Sequence, residues 1–237
     1  MFDEEYYKQV YNVDDFNKLS SHWWSNYFYS KLVYRYCANK GGNMLELGCG
    51  SGGILRRLEK YFNTFGIEVS DYALSKARQQ CKNTKFFLFD IEEGLTRKFA
   101  DNYFDVILAR YLFEHLKNPE KVIKDCSIIL KKGGILIFSV PNTSFLLKRF
   151  KGQEWQGIRD KTHISVNAPQ DWIRDIEASG LKIMKIFSDG CWDIPYFKTV
   201  PKILQYPFIL PTIFEVLTAI PFIPQRFGEN LISICYK

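Results

Sequence analysis

Residues 43–53 read NMLELGCGSGG, a short apolar run that ends in four closely spaced glycines. The run has the length and composition of a buried strand, and apolar residues at helical spacing follow the glycines. Gly48, Gly50 and Gly53 match G-x-G-x-x-G, a turn whose backbone can approach a nucleotide closely. A strand, a glycine turn and a helix in this order are the opening of a doubly wound α/β sheet.

The same alternation of strand and helix continues along the chain. Residues 71–80 predict a helix, and Pro119 and Pro169 each stand where a further helix begins. The sequence therefore predicts an α/β fold with a seven-stranded, doubly wound, Rossmann-like sheet. The predicted strands are residues 43–47, 64–69, 85–89, 104–109, 135–140, 181–187 and 231–236.

Charge and composition exclude several classes of protein. The net charge is +6, and the basic residues are scattered rather than gathered in the stripe that a nucleic-acid-binding protein carries. The six cysteines never form C-x-x-C, so we expect no metal site and a reducing compartment. The N-terminal residues do not resemble a signal peptide, and no run reaches the roughly 20 apolar residues of a membrane span. We therefore expect a cytoplasmic protein that does not bind nucleic acid.

Two carboxylates bear on the choice of nucleotide. Glu68 lies 20 residues after Gly48, at the end of strand two, as in a dinucleotide-binding fold. Glu46 stands two residues before the first glycine, so we expect its carboxylate to point into the ligand cleft. It would repel a pyrophosphate but stabilise the sulfonium and ammonium groups of S-adenosylmethionine. The residues favour the methyl donor, with a nicotinamide-dependent oxidoreductase and a non-catalytic nucleotide-binding protein as the alternatives.

A family resemblance joins these features. The first motif, MLELGCGSG over residues 44–52, resembles that of the class I S-adenosylmethionine-dependent methyltransferases. The resemblance implies S-adenosylmethionine as the cofactor, S-adenosylhomocysteine as the product, and strand order 3-2-1-4-5-7-6 with an antiparallel strand seven. Further motifs follow in the family's order at IEVS (67–70), FDI (89–91), DVILA (105–109), EHL (114–116) and LKKGG (130–134).

The resemblance also implies a set of donor-binding residues. Glu68 is expected at the ribose hydroxyls and Asp90 at the adenine amino group. Arg110 and Tyr111 lie just beyond strand four, where the cleft of a doubly wound sheet opens. The predicted donor-binding residues are Glu46, Gly48, Cys49, Gly50, Ser51, Gly52, Glu68, Val69, Asp90, Ile91, Arg110 and Tyr111.

Three flanking segments resemble methyltransferases of sugar and cell-surface biosynthesis clusters. They are Trp23-Trp24, RDKTH over residues 159–163, and GENLI over residues 228–232. Many of those relatives carry an arginine shortly after the tryptophan, where this chain has Asn26-Tyr27-Phe28. Without this arginine, the carboxylate of S-adenosylmethionine lacks the partner that the resemblance implies.

The chain of 237 residues is long enough for one domain with its own core, and we expect a single methyltransferase domain over residues 1–237. Its predicted parts are an aromatic helical lid (1–40, helical over 14–39), a donor-binding core (41–188), a proline-rich apolar insertion (189–228) and the last strand (229–237).

The predicted reaction is O-methylation of a small-molecule, sugar or lipid-linked acceptor. A neutral hydroxyl is a poor nucleophile, and the three histidines are the obvious bases near neutral pH. His22 belongs to an aromatic cluster, whereas His115 follows strand four and His163 lies in the loop after strand five. Asp160 precedes His163 by one turn, so we predict His163 as the base, oriented by Asp160, and His115 as the second candidate.

Residues 196–227 admit two interpretations. Their apolar side chains could cover the acceptor site from outside. Alternatively, apolar surface beside Lys198, Lys202 and Arg226 suits an anionic membrane, so the segment could make peripheral membrane contact and meet a lipid-linked acceptor. The sequence favours the cover and leaves the oligomeric state open.

Overall fold

The computed structural model describes residues 20–237, so residues 1–19 of the predicted lid lie outside the described part of the chain. The strands form one sheet in the order β3-β2-β1-β4-β5-β7-β6, in which β7 is antiparallel to both neighbours. The predicted fold class and strand order are therefore confirmed. The strands are β1 (Asn43–Leu47), β2 (Asn63–Glu68), β3 (Lys85–Leu88), β4 (Phe104–Arg110), β5 (Leu130–Pro141), β6 (Lys182–Ser188) and β7 (Asn230–Tyr236).

The helices begin at residues suited to that position. Ser20 caps the first helix by accepting a hydrogen bond from the Trp23 amide at 3.1 Å. Pro119 and Pro169 occupy the first turns of their helices, as predicted. The helices are α1 (Ser21–Tyr36), α2 (Leu55–Leu58), α3 (Asp71–Gln80), α4 (Pro119–Ile129), α5 (Lys148–Lys151), α6 (Gln156–Arg159), α7 (Pro169–Ala178) and α8 (Leu210–Thr218).

Two elements differ from the sequence-based expectation. The helix after the glycines is a single turn, because the amides of Tyr61 and Phe62 both bond the carbonyl of Leu58 and the chain enters β2 directly. Strand β5 begins at Leu130 instead of residue 135. Its register with β4 shifts next to the Leu130 pair, so the basic glycine turn of residues 131–134 is accommodated as a bulge within the strand.

The sheet separates two apolar layers. Helices α4 and α7 cover one face, and helices α1, α2, α3 and α8 contribute to the layer on the other. Alternate residues of β4 point into the two layers: Ile107 and Ala109 into the first, Val106 and Leu108 into the second. A strand buried on both faces is the expected centre of a parallel sheet.

Residues 196–227, here called the apolar segment, contain a 3₁₀ helix (Lys202–Ile209) and α8. Buried Gln205 fixes the segment, because its amide bonds the amides of Tyr196 and Phe197 and the carbonyls of Phe197 and Val200. The outer side exposes Val200, Ile203, Leu204, Tyr206, Phe208, Leu210, Ile213, Phe214, Leu217, Ile220, Phe222 and Phe227. Within residues 20–237, no helix has the length and apolar character that crossing a membrane requires.

On the inner side of α8, Glu215 is fully buried. Burial, with a contribution from Asp189, raises the pKa of Glu215 to about 8. The unfolded chain releases this proton near pH 4.3, whereas the folded chain keeps it until about pH 8. The stability supplied by this group is therefore complete at acidic pH and falls by about 1.4 kcal/mol per pH unit as pH rises between these values.

The Glu215→Gln variant should lose this dependence. We expect its free energy of unfolding, measured by denaturant titration, to fall less steeply between pH 5 and 7.5 than that of the wild type, by about 1.4 kcal/mol per pH unit. Glu177→Gln, an exposed change on α7, is the matched control and should leave the slope unchanged. Equal slopes in all three proteins would contradict a buried, protonated Glu215.

Candidate active site

The glycine loop follows β1 at the point where the strand order reverses. The chain leaves β1 for β2 on one side, whereas β4 pairs with β1 on the other, which is the switch point where α/β sheets bind ligands. Gly48, Gly50 and Gly52 have φ values of +65°, +50° and +79°, which side chains rarely tolerate. Ser51 is half-buried in the loop, whereas the Cys49 side chain is buried in the core beneath it, so Cys49 can face a ligand only through its backbone.

Glu68 ties the glycine loop to the end of β2. One carboxylate oxygen accepts a hydrogen bond from the Gly50 amide at 3.0 Å, and the other accepts from the amides of Val69 and Ser70 at 2.8 and 3.0 Å. The carboxylate is almost fully buried, while the neighbouring Val69 side chain is half exposed. The three amides occupy three of the roughly four lone-pair sites of the carboxylate, so the oxygen that accepts from Gly50 keeps one site for a ligand hydroxyl.

Asp90 lies at the same edge of the sheet, just past β3. It is exposed, and one of its oxygens accepts a hydrogen bond from the Glu92 amide at 2.9 Å, which caps a short turn. The neighbouring Ile91 side chain is buried in the core, so Ile91 can contact a ligand only through its backbone. Asp90 is thus a cap in this structure, and its Oδ2 takes no part in the bond to Glu92.

Glu46 is buried below the loop. Its side chain is 2% exposed, and its Oε2 accepts no hydrogen bond from the residues that the structure describes. Burial raises the pKa of Glu46 to about 8, although the guanidinium of Arg110 opposes the shift. A positively charged ligand group would stabilise the ionised form of this carboxylate.

The end of β4 turns sharply into the site. Tyr111 has a φ of +50°, an uncommon conformation for a residue other than glycine, and its amide donates to the Ser139 carbonyl of β5 at 3.0 Å. Arg110 donates to the Ser25 hydroxyl of α1 at 3.1 Å. Helix α1 also approaches the glycine loop, because a Cβ atom at Gly53 would collide with Asn26.

A polar cluster next to Tyr111 was not predicted. Asn230 donates to the Asp189 carboxylate at 2.6 Å and to the Tyr111 hydroxyl at 3.2 Å, and accepts from Gln156 at 2.8 Å. Burial raises the pKa of Asp189 to about 7. Asp189 follows β6 and Asn230 opens β7, and in this strand order both positions lie at the ligand edge. The strand boundaries were the only sequence signal for them.

The predicted catalytic residues lie together. The rings of His115 and His163 are 4.7 Å apart between centroids, and His163 Nε2 lies 3.7 Å from Asp160 Oδ2. The distance between these two atoms of the predicted Asp160–His163 pair therefore allows an ion pair but is too long for a hydrogen bond. Thr162, which was not predicted, bonds both His115 Nδ1 at 2.9 Å and Asp160 Oδ1 at 2.6 Å.

Burial sets the protonation of this cluster. It lowers the pKa of His115 to about 4, with the neighbouring His163 adding to the shift, and it lowers the pKa of His163. The pKa of Asp160 is also lowered, because hydrogen bonds from Thr162 outweigh the opposing effect of burial. At neutral pH both imidazoles are therefore uncharged, as a base or a metal ligand must be.

Comparisons with known proteins agree with this geometry. Residues 22–186 match the family described as a methyltransferase domain. The chain is 29% identical to the ubiquinone biosynthesis O-methyltransferase of Coxiella burnetii over 195 residues, which cover 72% of this chain and 81% of that protein. It is 36% identical to the malonyl-(acyl-carrier protein) O-methyltransferase of Bacillus anthracis over 115 residues, or 46% of this chain and 41% of that protein.

The fold is shared with solved structures. An S-adenosylmethionine-dependent methyltransferase from Mesorhizobium loti superposes with a TM-score of 0.61 at 14% identity, over 89% of this chain and 98% of that one. Such low identity shows the fold alone, whereas the family match covers most of this chain. With the glycine loop, Glu68 and the strand order in place, the chain belongs to the class I S-adenosylmethionine-dependent methyltransferases.

Proposed function

We propose that the protein transfers the methyl group of S-adenosylmethionine to a hydroxyl oxygen of a small or lipid-linked acceptor. The observation that carries this proposal is the pair of neutral imidazoles, His115 after β4 and His163 in the loop after α6, whose ring centroids lie 4.7 Å apart. The Leu112 side chain is close to Gly48, since a Cβ atom there would stand 2.9 Å from it, and so connects the turn after β4 to the glycine loop. The two curated relatives described above are named as O-methyltransferases.

On the donor side, Glu68 would accept a hydrogen bond from a ribose hydroxyl at its remaining site, and Asp90 one from the adenine amino group. Glu46, with its buried carboxylate, would stabilise the positive charge of the donor. The predicted glycines would contribute backbone amides, and α1 would act as the lid through Ser25 and Asn26. The bound donor supplies an electrophilic methyl group.

On the acceptor side, His163 would accept the hydroxyl proton at Nε2 while the oxygen forms its bond to the methyl carbon and the carbon–sulfur bond breaks. The products are the methyl ether, the neutral thioether and an imidazolium. Asp160 lies beside Nε2 and would stabilise that imidazolium. Positioning two reactants in this way can contribute about 7–11 kcal/mol to catalysis.

The apolar segment supports a membrane-presented, lipid-linked acceptor more strongly than the cover favoured from the sequence. Its outer side exposes twelve large apolar residues. Its exposed charges are all positive, because its one acidic residue, Glu215, is buried. They are Lys202, Arg226 and Lys198, of which Lys198 pairs with Glu154 outside the segment at 3.1 Å. Apolar side chains flanked by cations are suited to the surface of an anionic bilayer. We therefore propose peripheral membrane contact through residues 196–227.

Donor binding can be tested at Glu68. We expect Glu68→Gln to lower the affinity for S-adenosylhomocysteine at least about tenfold in calorimetry, because a charge-assisted bond to the ribose contributes about 1.5–3 kcal/mol. Glu59→Gln is the matched control, since Glu59 also accepts two loop amides, those of Lys82 and Asn83, at 2.9 Å. Equal affinities in both variants would contradict a ribose contact.

The base can be tested at His163. We expect His163→Ala to lower kcat by roughly 10²–10⁴-fold with unchanged S-adenosylhomocysteine affinity, and His115→Ala to lower it less. The readout is a gain of one methyl group, about 14 Da, on polyprenylated phenols or sugars. His22→Ala, the remaining histidine, should retain full turnover. A His163→Ala enzyme with wild-type kcat would exclude His163 as the base.

Membrane contact can be tested by vesicle flotation. We expect the wild type to float with phosphatidylglycerol vesicles, and both Ile203→Ser/Leu204→Ser and Lys198→Glu/Lys202→Glu to lose flotation. Leu88→Ser removes an apolar side chain of β3 that is about half exposed, and it should float normally. Wild-type protein that stays in the unfloated fraction would contradict the proposal and favour the cover.

A further inference from the structure

Three side chains from two separate segments converge beyond the end of β4. Glu114 and His115 belong to the short turn that follows this strand, and His163 belongs to the loop after α6. The carboxylate oxygen and ring nitrogens that they offer lie within 4.8 Å of one another. Backbone bonds join the two segments, because the amides of Ile164 and Ser165 both donate to the Glu114 carbonyl at 2.9 Å. The convergence is thus fixed by the fold.

The hydrogen bonds orient both imidazoles in the same way. The Thr162 hydroxyl donates to Asp160, so its oxygen is left to accept from His115 Nδ1. His163 Nδ1 faces the Gly157 carbonyl at 3.3 Å, which can only accept. Both Nδ1 atoms therefore carry the proton, and both Nε2 atoms keep their lone pair. Metal-bound histidines are commonly anchored through their second nitrogen in this manner.

Glu114 supplies the independent second observation. Its side chain is 1% exposed, and its Oε2 accepts no hydrogen bond from any residue in the described part of the chain. A buried carboxylate oxygen without a partner is costly, and a cation beside it removes that cost. Asp160 Oδ2 lies 3.7 Å from His163 Nε2, so this carboxylate would also stabilise a positive charge bound at that nitrogen.

We propose that Glu114, His115 and His163 bind one divalent first-row transition metal ion, such as Zn²⁺ or Mn²⁺. Two imidazoles and one carboxylate form a mixed nitrogen and oxygen set that suits these ions and leaves positions open for a further ligand. Bonds of about 2.0–2.2 Å place neighbouring ligand atoms of a tetrahedral ion about 3.3–3.6 Å apart, so side-chain rotations that move the ligand atoms by about 1 Å would close the observed 4.8 Å spread.

This proposal deepens the acceptor side of the proposed function and rests on it. An ion at this position has open sites for the acceptor oxygen, whose proton it would make more acidic. In the loaded protein His163 Nε2 would be a ligand, and the ion would activate the hydroxyl in place of a free imidazole. The substrate class implied is an acceptor with one or two adjacent hydroxyls that can reach the ion.

Calorimetry on the full chain, freed of metal by chelation, tests the site with Zn²⁺ and Mn²⁺ alone. We expect one equivalent of metal to bind the wild type, and the affinity to fall at least about 100-fold in Glu114→Gln. Thr162→Val removes only the hydroxyl that anchors His115 and should weaken binding by about 10–100-fold. His22→Ala is the control and should bind metal as the wild type does. S-adenosylhomocysteine affinity, unchanged in every variant, shows that each one is folded.

The outcomes separate this proposal from the function on which it rests. Metal binding lost in Glu114→Gln and Thr162→Val, with methylation abolished by EDTA and restored by Mn²⁺ or Zn²⁺, supports the site. Absence of stoichiometric metal binding to the wild type, or equal binding by Glu114→Gln, overturns it. Methylation that persists in EDTA overturns the ion's role but leaves the methyltransferase with His163 as its base. Failure to bind S-adenosylhomocysteine would instead contradict the proposed function itself.

Discussion

The carboxylate of Glu68 is the interaction on which the ligand edge of the sheet depends. It accepts one amide from the glycine loop after β1 and two from the turn after β2, and so fixes the separation of these neighbouring segments. Strong hydrogen bonds to a buried carboxylate hold such a connection rigidly. Because the loop is positioned before any ligand arrives, a ligand bound there loses less conformational entropy.

The fold and the donor side could be predicted because their signals are local. Strand β1 and the glycine loop are consecutive in the sequence, and β4 contains the apolar run of residues 106–109, which is typical of a central strand. The basic glycine turn before β5 was recognisable, but its inclusion in the strand was not. A bulge depends on the register with the partner strand, here between Phe104 and Val106, which the sequence of β5 alone does not contain.

The acceptor side was predicted only in part, because its contacts join distant segments. His115 and His163 were both predicted, but nothing in the sequence indicated that their rings are in contact. Nor did it indicate that Thr162 bonds both His115 and Asp160. The Tyr111–Asp189–Asn230 cluster was missed for the same reason. Its members come from the ends of three strands, and only the strand order brings them to one edge.

The site contains carboxylates in two contrasting environments. Glu68 has amide partners for both oxygens, whereas Glu46 and Glu114 are buried with one oxygen that no described residue bonds. A buried carboxylate without a partner destabilises the fold, so its presence calls for an explanation such as a role in binding. Under the proposed function, Glu46 meets the positive charge of the methyl donor, and Glu114 meets that of a metal ion. Glu46 lies on β1 and Glu114 in the turn that follows β4, so each of the two reactants would have its own buried carboxylate to compensate the positive charge beside it.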